Sequence, residues 1–163
     1  MMYKTISLSA LRLLAFSTLT LFAACNKTDD NPAGYVTGKN RFTIQINGDT
    51  REYYVHVPAG YNPNTPAPMV VMLHGTSGDG EKFYNISGWK EVGEKENILT
   101  VFPSSWHHCI LEDGVSSNTT KWNVYPGSFD YCAGQTPRDD IKFLREMIAS
   151  LSQTFNVDAK HIY

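Results

Sequence analysis

The stretch that most constrains the fold is an apolar run that ends in a glycine-rich loop, at residues 68–80. Residues 69–73 are consecutively apolar, which predicts a strand buried on both faces, as parallel strands of α/β proteins are. The run meets His74, and glycines at 75, 78 and 80 then let the backbone approach a ligand and present its N–H groups. Ligands of open α/β sheets bind beyond the carboxyl ends of the strands, so we expect a functional loop here. The alternative is a strand-to-loop turn without chemistry.

Residues 1–25 have the features of an export signal. Lys4 and Arg12 give a positive start, and the apolar stretch at 13–24 is too short to span a bilayer but suits a signal-peptide core. Small residues precede Cys25 and resemble the bacterial lipobox, in which the cysteine is lipidated and becomes the first mature residue. We therefore expect an exported lipoprotein, anchored through Cys25 at the outer membrane or cell surface. The alternative is an ordinary secretory signal, which gives a periplasmic or secreted protein.

The next part of the chain alternates between strand and helix patterns. Residues 26–40 are polar and predict a flexible tether. Residues 41–57 alternate polar and apolar side chains around an Asn-Gly pair, which predicts an antiparallel hairpin. A partly helical segment at 83–95 leads to a second buried strand at 98–102. Strand, helix and strand in this order favour a parallel pair.

Residues 104–135 show no clear periodicity and predict a long loop. Its aromatic residues either line a substrate cleft, with Trp106 and Trp122 as candidates, or form a small satellite core.

Apolar residues at spacings of three and four between Ile141 and Phe155 predict a helix that covers a sheet. Thr136 is its expected cap, Pro137 its first residue, and the Asp139-Asp140 pair suits its positive end better than acid–base chemistry. A turn at 156–160 then leads to a strand that begins at His161.

The sequence gives only weak indications of nucleic-acid binding, metal binding or a further catalytic residue. The net charge of −2 and the lack of a basic cluster exclude nucleic acid as a partner. His107, His108 and Cys109 could suggest a metal, but no second ligand cluster follows, so we expect neither metal nor cofactor. His56 lies in a strand pattern and is interpreted as a surface residue.

The sequence has three cysteines, and lipidation of Cys25 would leave Cys109 and Cys132. Outside the cytoplasm such a pair is expected to form a disulfide. In the chain-entropy model it would contribute roughly 3 kcal/mol. Two separate buried thiols are the alternative.

Taken in order, these elements resemble the secreted α/β-hydrolase esterases grouped as polyhydroxybutyrate depolymerase-like or feruloyl-esterase-like. The matching segments cover nearly all of residues 41–163 and are 51–61, 68–75, 101–103, 122–123, 139–144 and 157–163. The resemblance implies an α/β fold class, in which an antiparallel hairpin leads into a mostly parallel sheet. It also implies that the backbone N–H of Thr76, with His74 and Gly75, contributes to an oxyanion hole.

In that family the last matching strand leads into Gly-x-Ser-x-Gly, a motif that residues 1–163 do not contain. The acid and the histidine follow the serine in this fold. We therefore expect residues 41–163 to be an incomplete domain, inactive as given, with its triad beyond Tyr163. The resemblance implies ester substrates that are polysaccharide-linked or polymeric: feruloyl or acetyl esters, or polyhydroxyalkanoate-type polyesters. A peptidase of the same fold and a non-catalytic glycan-binding lipoprotein are the alternatives.

Overall fold

The computed structural model describes residues 34–125 and 127–163. The predicted signal peptide at 1–25, its lipidation site Cys25 and the first part of the predicted tether lie outside the described residues. The described residues form eight strands and three helices: β1 Gly38–Ile46, β2 Asp49–Val57, β3 Ala67–Val71, α1 Gly80–Ile86, α2 Trp89–Glu96, β4 Leu99–Pro103, β5 His107–Glu112, β6 Val115–Thr120, β7 Asp130–Tyr131, α3 Asp140–Thr154 and β8 Val157–Ile162.

The main sheet has five strands in the order β1-β2-β4-β3-β8. β1 pairs antiparallel with β2, and β2 pairs antiparallel with β4. β3 runs parallel to both β4 and β8. Asn47 and Gly48 join β1 to β2 with φ of 53° and 90°, the paired positive values that a tight hairpin turn requires. The prediction that a hairpin leads into parallel strands is confirmed.

Helices cover the main sheet on both faces. Adjacent residues of a strand point to opposite faces, and Val55 and Val101 pack with α3, whereas Tyr54 and Phe102 pack with α1. The larger cluster includes Phe143, Met147 and Leu151 of α3, and the smaller one includes Tyr84 of α1. The predicted partial helix at 83–95 is two helices, separated near Gly88, whose φ is 76°.

The folded part begins before residue 41, the predicted start of the domain. β1 starts at Gly38, and Tyr35 packs against the rings of Tyr61 and Phe155 at centroid distances of 5.8 and 4.6 Å. Asn40 donates to and accepts from the backbone of Val36. These contacts tie residues 35–40 to the core, so the tether prediction is wrong for them.

β3 ends two residues earlier than predicted. β3 ends at Val71, and Leu73, predicted to be buried, is 42% exposed. Met72 still donates to the carbonyl of Val101, after which the chain leaves the sheet toward the glycine loop. The next strand, β4, is buried at every position, as expected of a strand with neighbours on both sides.

Residues 104–135 are not one long loop, which corrects the prediction. They contain a three-stranded antiparallel sheet in the order β6-β5-β7. Asp113 and Gly114, with φ of 52° and 78°, form the turn between β5 and β6. An Asp-Gly pair favours such a hairpin, but exposed polar side chains along β6 hid the strand pattern. The sheet carries the disulfide between Cys109 and Cys132, the pair predicted from the sequence.

Two further element boundaries differ from the prediction. α3 begins at Asp140, because Asp139, rather than Thr136, is the N-cap and accepts a hydrogen bond from the Lys142 N–H at 2.8 Å. β8 begins at Val157 instead of His161, since Val157 already pairs with Ala67 of β3. Within residues 34–125 and 127–163, no helix has the length and apolarity needed to cross a lipid bilayer.

Candidate active site

Three chain segments meet at the carboxyl edge of the parallel strands. The glycine loop follows β3, residues 104–106 follow β4, and Tyr163 follows β8. Tyr163 is held beside β3, because its N–H donates to the Met69 carbonyl at 3.0 Å and its carbonyl accepts from the Val71 N–H at 2.7 Å. This edge is where open α/β sheets bind ligands.

His74 is the buried centre of the glycine loop, with only 3% of its surface exposed. Its Nδ1 donates to the Gly75 carbonyl at 2.7 Å, and its Nε2 accepts from the Ser105 N–H at 3.0 Å. Since a backbone N–H can only donate, this arrangement requires the tautomer with its proton on Nδ1. The His74 carbonyl accepts from the Trp122 indole at 2.9 Å. His74 therefore joins β3, the end of β4 and the segment after β6, and both ring nitrogens already have partners.

The backbone N–H groups of Gly75 and Thr76 are available to bind a ligand at this edge. Both residues are exposed, and within the part of the chain that the structure describes neither N–H has a hydrogen-bond partner. A Cβ added at Gly75 would meet no atom within 4 Å, so open space adjoins the loop there. Free N–H groups at the end of a strand can stabilise negative charge on a substrate oxygen.

The other end of the glycine loop is fixed to β6. The Ser77 N–H donates to the Thr120 carbonyl at 3.0 Å, and the Ser77 hydroxyl lies 2.7 Å from the Thr119 hydroxyl. The Thr120 hydroxyl donates to the Gly78 carbonyl at 2.5 Å. The loop is thus held on both sides of Gly75 and Thr76.

A buried ion pair lies behind the same edge. Arg51 and Asp140 are 2.7 Å apart, with 2% and 0% of their side chains exposed. Arg51 also donates to the Ser104 carbonyl at 3.0 Å, and the second carboxylate oxygen of Asp140 accepts from the Asn123 N–H at 2.7 Å. The pair connects β2, the end of β4 and the start of α3. Asp140 lies in the first turn of α3, as predicted, and the ion pair is an additional role that the sequence did not predict.

Solved structures with a similar fold are ester-hydrolysing enzymes. An S-formylglutathione hydrolase from Staphylococcus aureus matches with a TM-score of 0.52 and 13% identity, over 78% of this chain and 46% of that chain. An S-formylglutathione hydrolase from Agrobacterium tumefaciens matches with a TM-score of 0.51 and 16% identity, over 76% and 47%. An acetyl xylan esterase from Aspergillus awamori gives 0.47 and 14%, over 76% and 40%. No family model and no curated protein matches the sequence.

The chain has an α/β-hydrolase fold. This conclusion rests on the two matches above 0.5 together with the strand order of the main sheet. The chain spans less than half the length of each of the three solved structures named above. In the hydrolase fold the loop after the third strand supplies an oxyanion-hole N–H, and the glycine loop follows β3 here.

Trp106 and Trp122, the tryptophans predicted to line a substrate cleft, lie at different places near the carboxyl edge of the parallel strands. The Trp122 ring lies 5.0 Å from the His74 ring, so Trp122 contacts the glycine loop directly. Trp106 lines a polar cavity of about 420 Å³, and the guanidinium groups of Arg51 and Arg138 lie 5.7 and 5.1 Å from its ring. Contact of either ring with a substrate stays a prediction.

A larger cleft lies beside the start of α3. The sequence did not predict that its lining residues share one surface. The cleft has a volume of about 630 Å³ and is lined by Tyr125, Phe129 and Tyr131 together with Asn123 and Asp139. The aromatic content of residues 104–135 was the available signal. Periodicity could not show which rings share one surface.

The His107-His108-Cys109 run does not converge on one point. His107 is exposed, whereas His108 is 2% exposed and its Nε2 accepts from the Arg138 N–H at 3.2 Å. Burial lowers the pKa of His108, and Cys109 is in the disulfide. Among residues 34–125 and 127–163, no three His, Cys, Asp or Glu side chains are arranged to hold a metal ion.

His56 is not a surface residue, which corrects the prediction. It is 9% exposed, and its ring nitrogens lie 3.1 Å from the Tyr84 hydroxyl and 2.8 Å from a carboxylate oxygen of Glu94. Hydrogen bonds from the Ala59 N–H and from His56 lower the pKa of Glu94. This network attaches α1 and α2 to β2, and sequence periodicity gave no sign of it.

Proposed function

We propose that this chain is the N-terminal part of a serine esterase and that the glycine loop forms half of its oxyanion hole. The observation that carries the proposal is the pair of unpartnered N–H groups on Gly75 and Thr76, at the carboxyl edge of a strand that neighbours β8. In the hydrolase fold a strand-to-helix turn presents the nucleophilic serine at the top of the sheet. The predicted position of that serine is after β8, beyond Tyr163.

The proposed reaction is acyl transfer to serine followed by hydrolysis. The serine oxygen attacks the ester carbonyl carbon while a histidine accepts its proton, and the carbonyl oxygen becomes an oxyanion. The Thr76 N–H, with one further N–H from the residue after the serine, donates to that oxygen. The intermediate then expels the alcohol, which takes a proton from the histidine, and water releases the acid. One oxyanion donor of this kind contributes about 3 kcal/mol to the transition state.

The proposed substrates are feruloyl or acetyl esters of polysaccharides, or polyhydroxyalkanoate-type polyesters. They follow from the sequence resemblance to the polyhydroxybutyrate depolymerase-like and feruloyl-esterase-like enzymes. The cleft of Tyr125, Phe129 and Tyr131 supports a substrate that contains rings, since aromatic side chains stack on flat apolar faces. We further propose that the protein is exported and anchored through lipidated Cys25.

The test uses the complete protein encoded by the gene and a matched pair of variants. Thr76→Pro removes the backbone N–H, whereas Thr76→Ala keeps it and changes only an exposed side chain. With p-nitrophenyl acetate we expect kcat to fall about 100-fold in Thr76→Pro and less than about threefold in Thr76→Ala. A fluorophosphonate probe should label one serine beyond Tyr163. We expect residues 26–163 alone to show no turnover, because they would lack the nucleophile.

Equal activity of the two Thr76 variants would refute the role of this N–H. A lack of serine labelling and of ester turnover in the complete protein would refute the esterase. Hydrolysis of a p-nitroanilide peptide but not of the ester would instead indicate the peptidase alternative.

The aromatic cleft also favours a second candidate, a lipoprotein that binds glycans without catalysis. Tyr125 is 63% exposed in this cleft, and Asn123 and Asp139 offer polar groups for sugar hydroxyls. Calorimetry with xylan oligosaccharides would then show binding that Tyr125→Ala abolishes, while ester turnover is absent from the wild type. Turnover without oligosaccharide binding would exclude this candidate.

A further inference from the structure

The glycine loop contains a residue in an unfavourable backbone conformation. Ser77 has a φ of 63°, in the left-handed region that residues with a side chain rarely adopt. Such a conformation persists only when the surrounding structure enforces it, and it is often found at functional sites. Contacts that hold Ser77 therefore also determine the direction of the neighbouring N–H groups.

Residues 119–122, called the clamp below, supply these contacts from the small sheet and the segment that follows it. Thr120 makes two of them, because its carbonyl accepts from the Ser77 N–H at 3.0 Å and its hydroxyl donates to the Gly78 carbonyl at 2.5 Å. Thr119 adds a hydroxyl contact to Ser77 at 2.7 Å, and Trp122 donates to the His74 carbonyl at 2.9 Å.

The clamp and the loop leave little freedom around Gly75 and Thr76. Trp122 fixes the loop before these two residues, and Thr119 and Thr120 fix it after them. The turn itself is tight, since a Cβ added at Gly78 would lie 3.0 Å from His74 Nδ1 and 3.1 Å from the Gly75 carbonyl. Thr120 is 3% exposed, so water competes weakly for its two hydrogen bonds.

We propose that the clamp positions the oxyanion loop and that Thr120 is its central positioning residue. This inference rests on the proposed function. In the proposed reaction Thr120 acts through Ser77 and Gly78, which set the direction of the Thr76 N–H. An oxyanion exists only in the transition state and the intermediate, so a misdirected donor should lower kcat and leave KM nearly unchanged.

The test compares three variants of the complete protein. Thr120→Val removes the hydroxyl but keeps the size of the side chain, and Thr120→Ser restores a hydroxyl. Thr100→Val is the matched control, because Thr100 is fully buried in β4 and its hydroxyl has no hydrogen-bond partner in the described residues. We expect kcat for p-nitrophenyl acetate to fall about tenfold to a hundredfold in Thr120→Val, with KM within about twofold. Thr120→Ser should recover kcat to within about threefold, and Thr100→Val should match the wild type.

A second measurement tests the clamp without any chemistry. Amide hydrogen exchange at Ser77 should become at least about fivefold faster in Thr120→Val, and it should be unchanged in Thr100→Val. Unchanged exchange in Thr120→Val would overturn Thr120 as the central positioning residue, because its hydroxyl bond to Gly78 is the contact that this variant removes. Faster exchange with normal kcat would overturn its role in positioning the donor. A wild type without ester turnover would refute the proposed function, and the exchange rates would still decide whether the clamp holds the loop.

Discussion

Removal of the Arg51 charge should destabilise the protein far more than removal of an exposed arginine on the neighbouring strand. In Arg51→Met the Asp140 carboxylate, 0% exposed, keeps the Asn123 N–H, 2.7 Å away, as its one hydrogen-bond donor among the described residues. Breaking a buried ion pair from one side costs about 3–5 kcal/mol, because it leaves an uncompensated charge. Arg41→Met is the control. Arg41 pairs with Glu52 at 2.8 Å but is 59% exposed, and such a solvent-screened pair contributes little to stability.

The double variant Arg51→Met with Asp140→Leu separates the charge effect from the loss of packing. It removes both charges, and apolar replacement of a whole buried pair is often neutral. The Asn123 N–H then loses its acceptor, which costs about 1–3 kcal/mol. We therefore expect the double variant to be more stable than Arg51→Met. Urea unfolding of the complete protein, followed by tryptophan fluorescence, measures the wild type and these three variants. The reasoning is refuted if Arg51→Met loses no more stability than Arg41→Met.

Three further predictions concern other parts of the chain. Burial lowers the pKa of His108 below its usual 6.5, so the neutral ring is favoured in the folded state. Stability should therefore fall as the pH drops below about 6.5, and His108→Gln should flatten that slope in pH-dependent melts. Replacing both Cys109 and Cys132 by Ala should lower stability by about 3 kcal/mol in urea unfolding, and an unchanged midpoint would contradict it. Cys25→Ser should move the protein from the membrane to the soluble fraction, and an already soluble wild type would refute the lipid anchor.

The fold could be predicted because its central elements are local patterns. The apolar runs of β3 and β4 and the Asn-Gly turn between β1 and β2 each depend on a few adjacent residues. The glycine loop could be located for the same reason, since glycines directly follow an apolar strand and His74. The predicted ends of strands were wrong where pairing with a residue far away in the sequence determines them. β8 begins at Val157 because Ala67 of β3 pairs with it.

The surroundings of the loop could not be predicted, because they depend on polar contacts between distant residues. The hydroxyls of Thr119 and Thr120 reach residues 42 positions earlier, and Asp140 pairs with an arginine 89 positions earlier. Serine and threonine on a strand give no periodic signal when that strand is largely exposed, as β6 is. A buried aspartate next to a helix cap also looks like part of the cap, so nothing in the sequence separates Asp139 from Asp140.

The ion pair and the clamp support the same loop from two directions. Arg51 holds the Ser104 carbonyl, and the next residue, Ser105, donates to His74. On the opposite side, Thr120 holds Ser77 and Gly78. A donor that stabilises a transient oxyanion is effective when it is already oriented before the reaction, since no reorganisation is then needed. The long segment between β4 and α3 supplies Ser105, Thr120 and Trp122, which hold the glycine loop in place, so its length has a physical reason beyond the cleft that it lines.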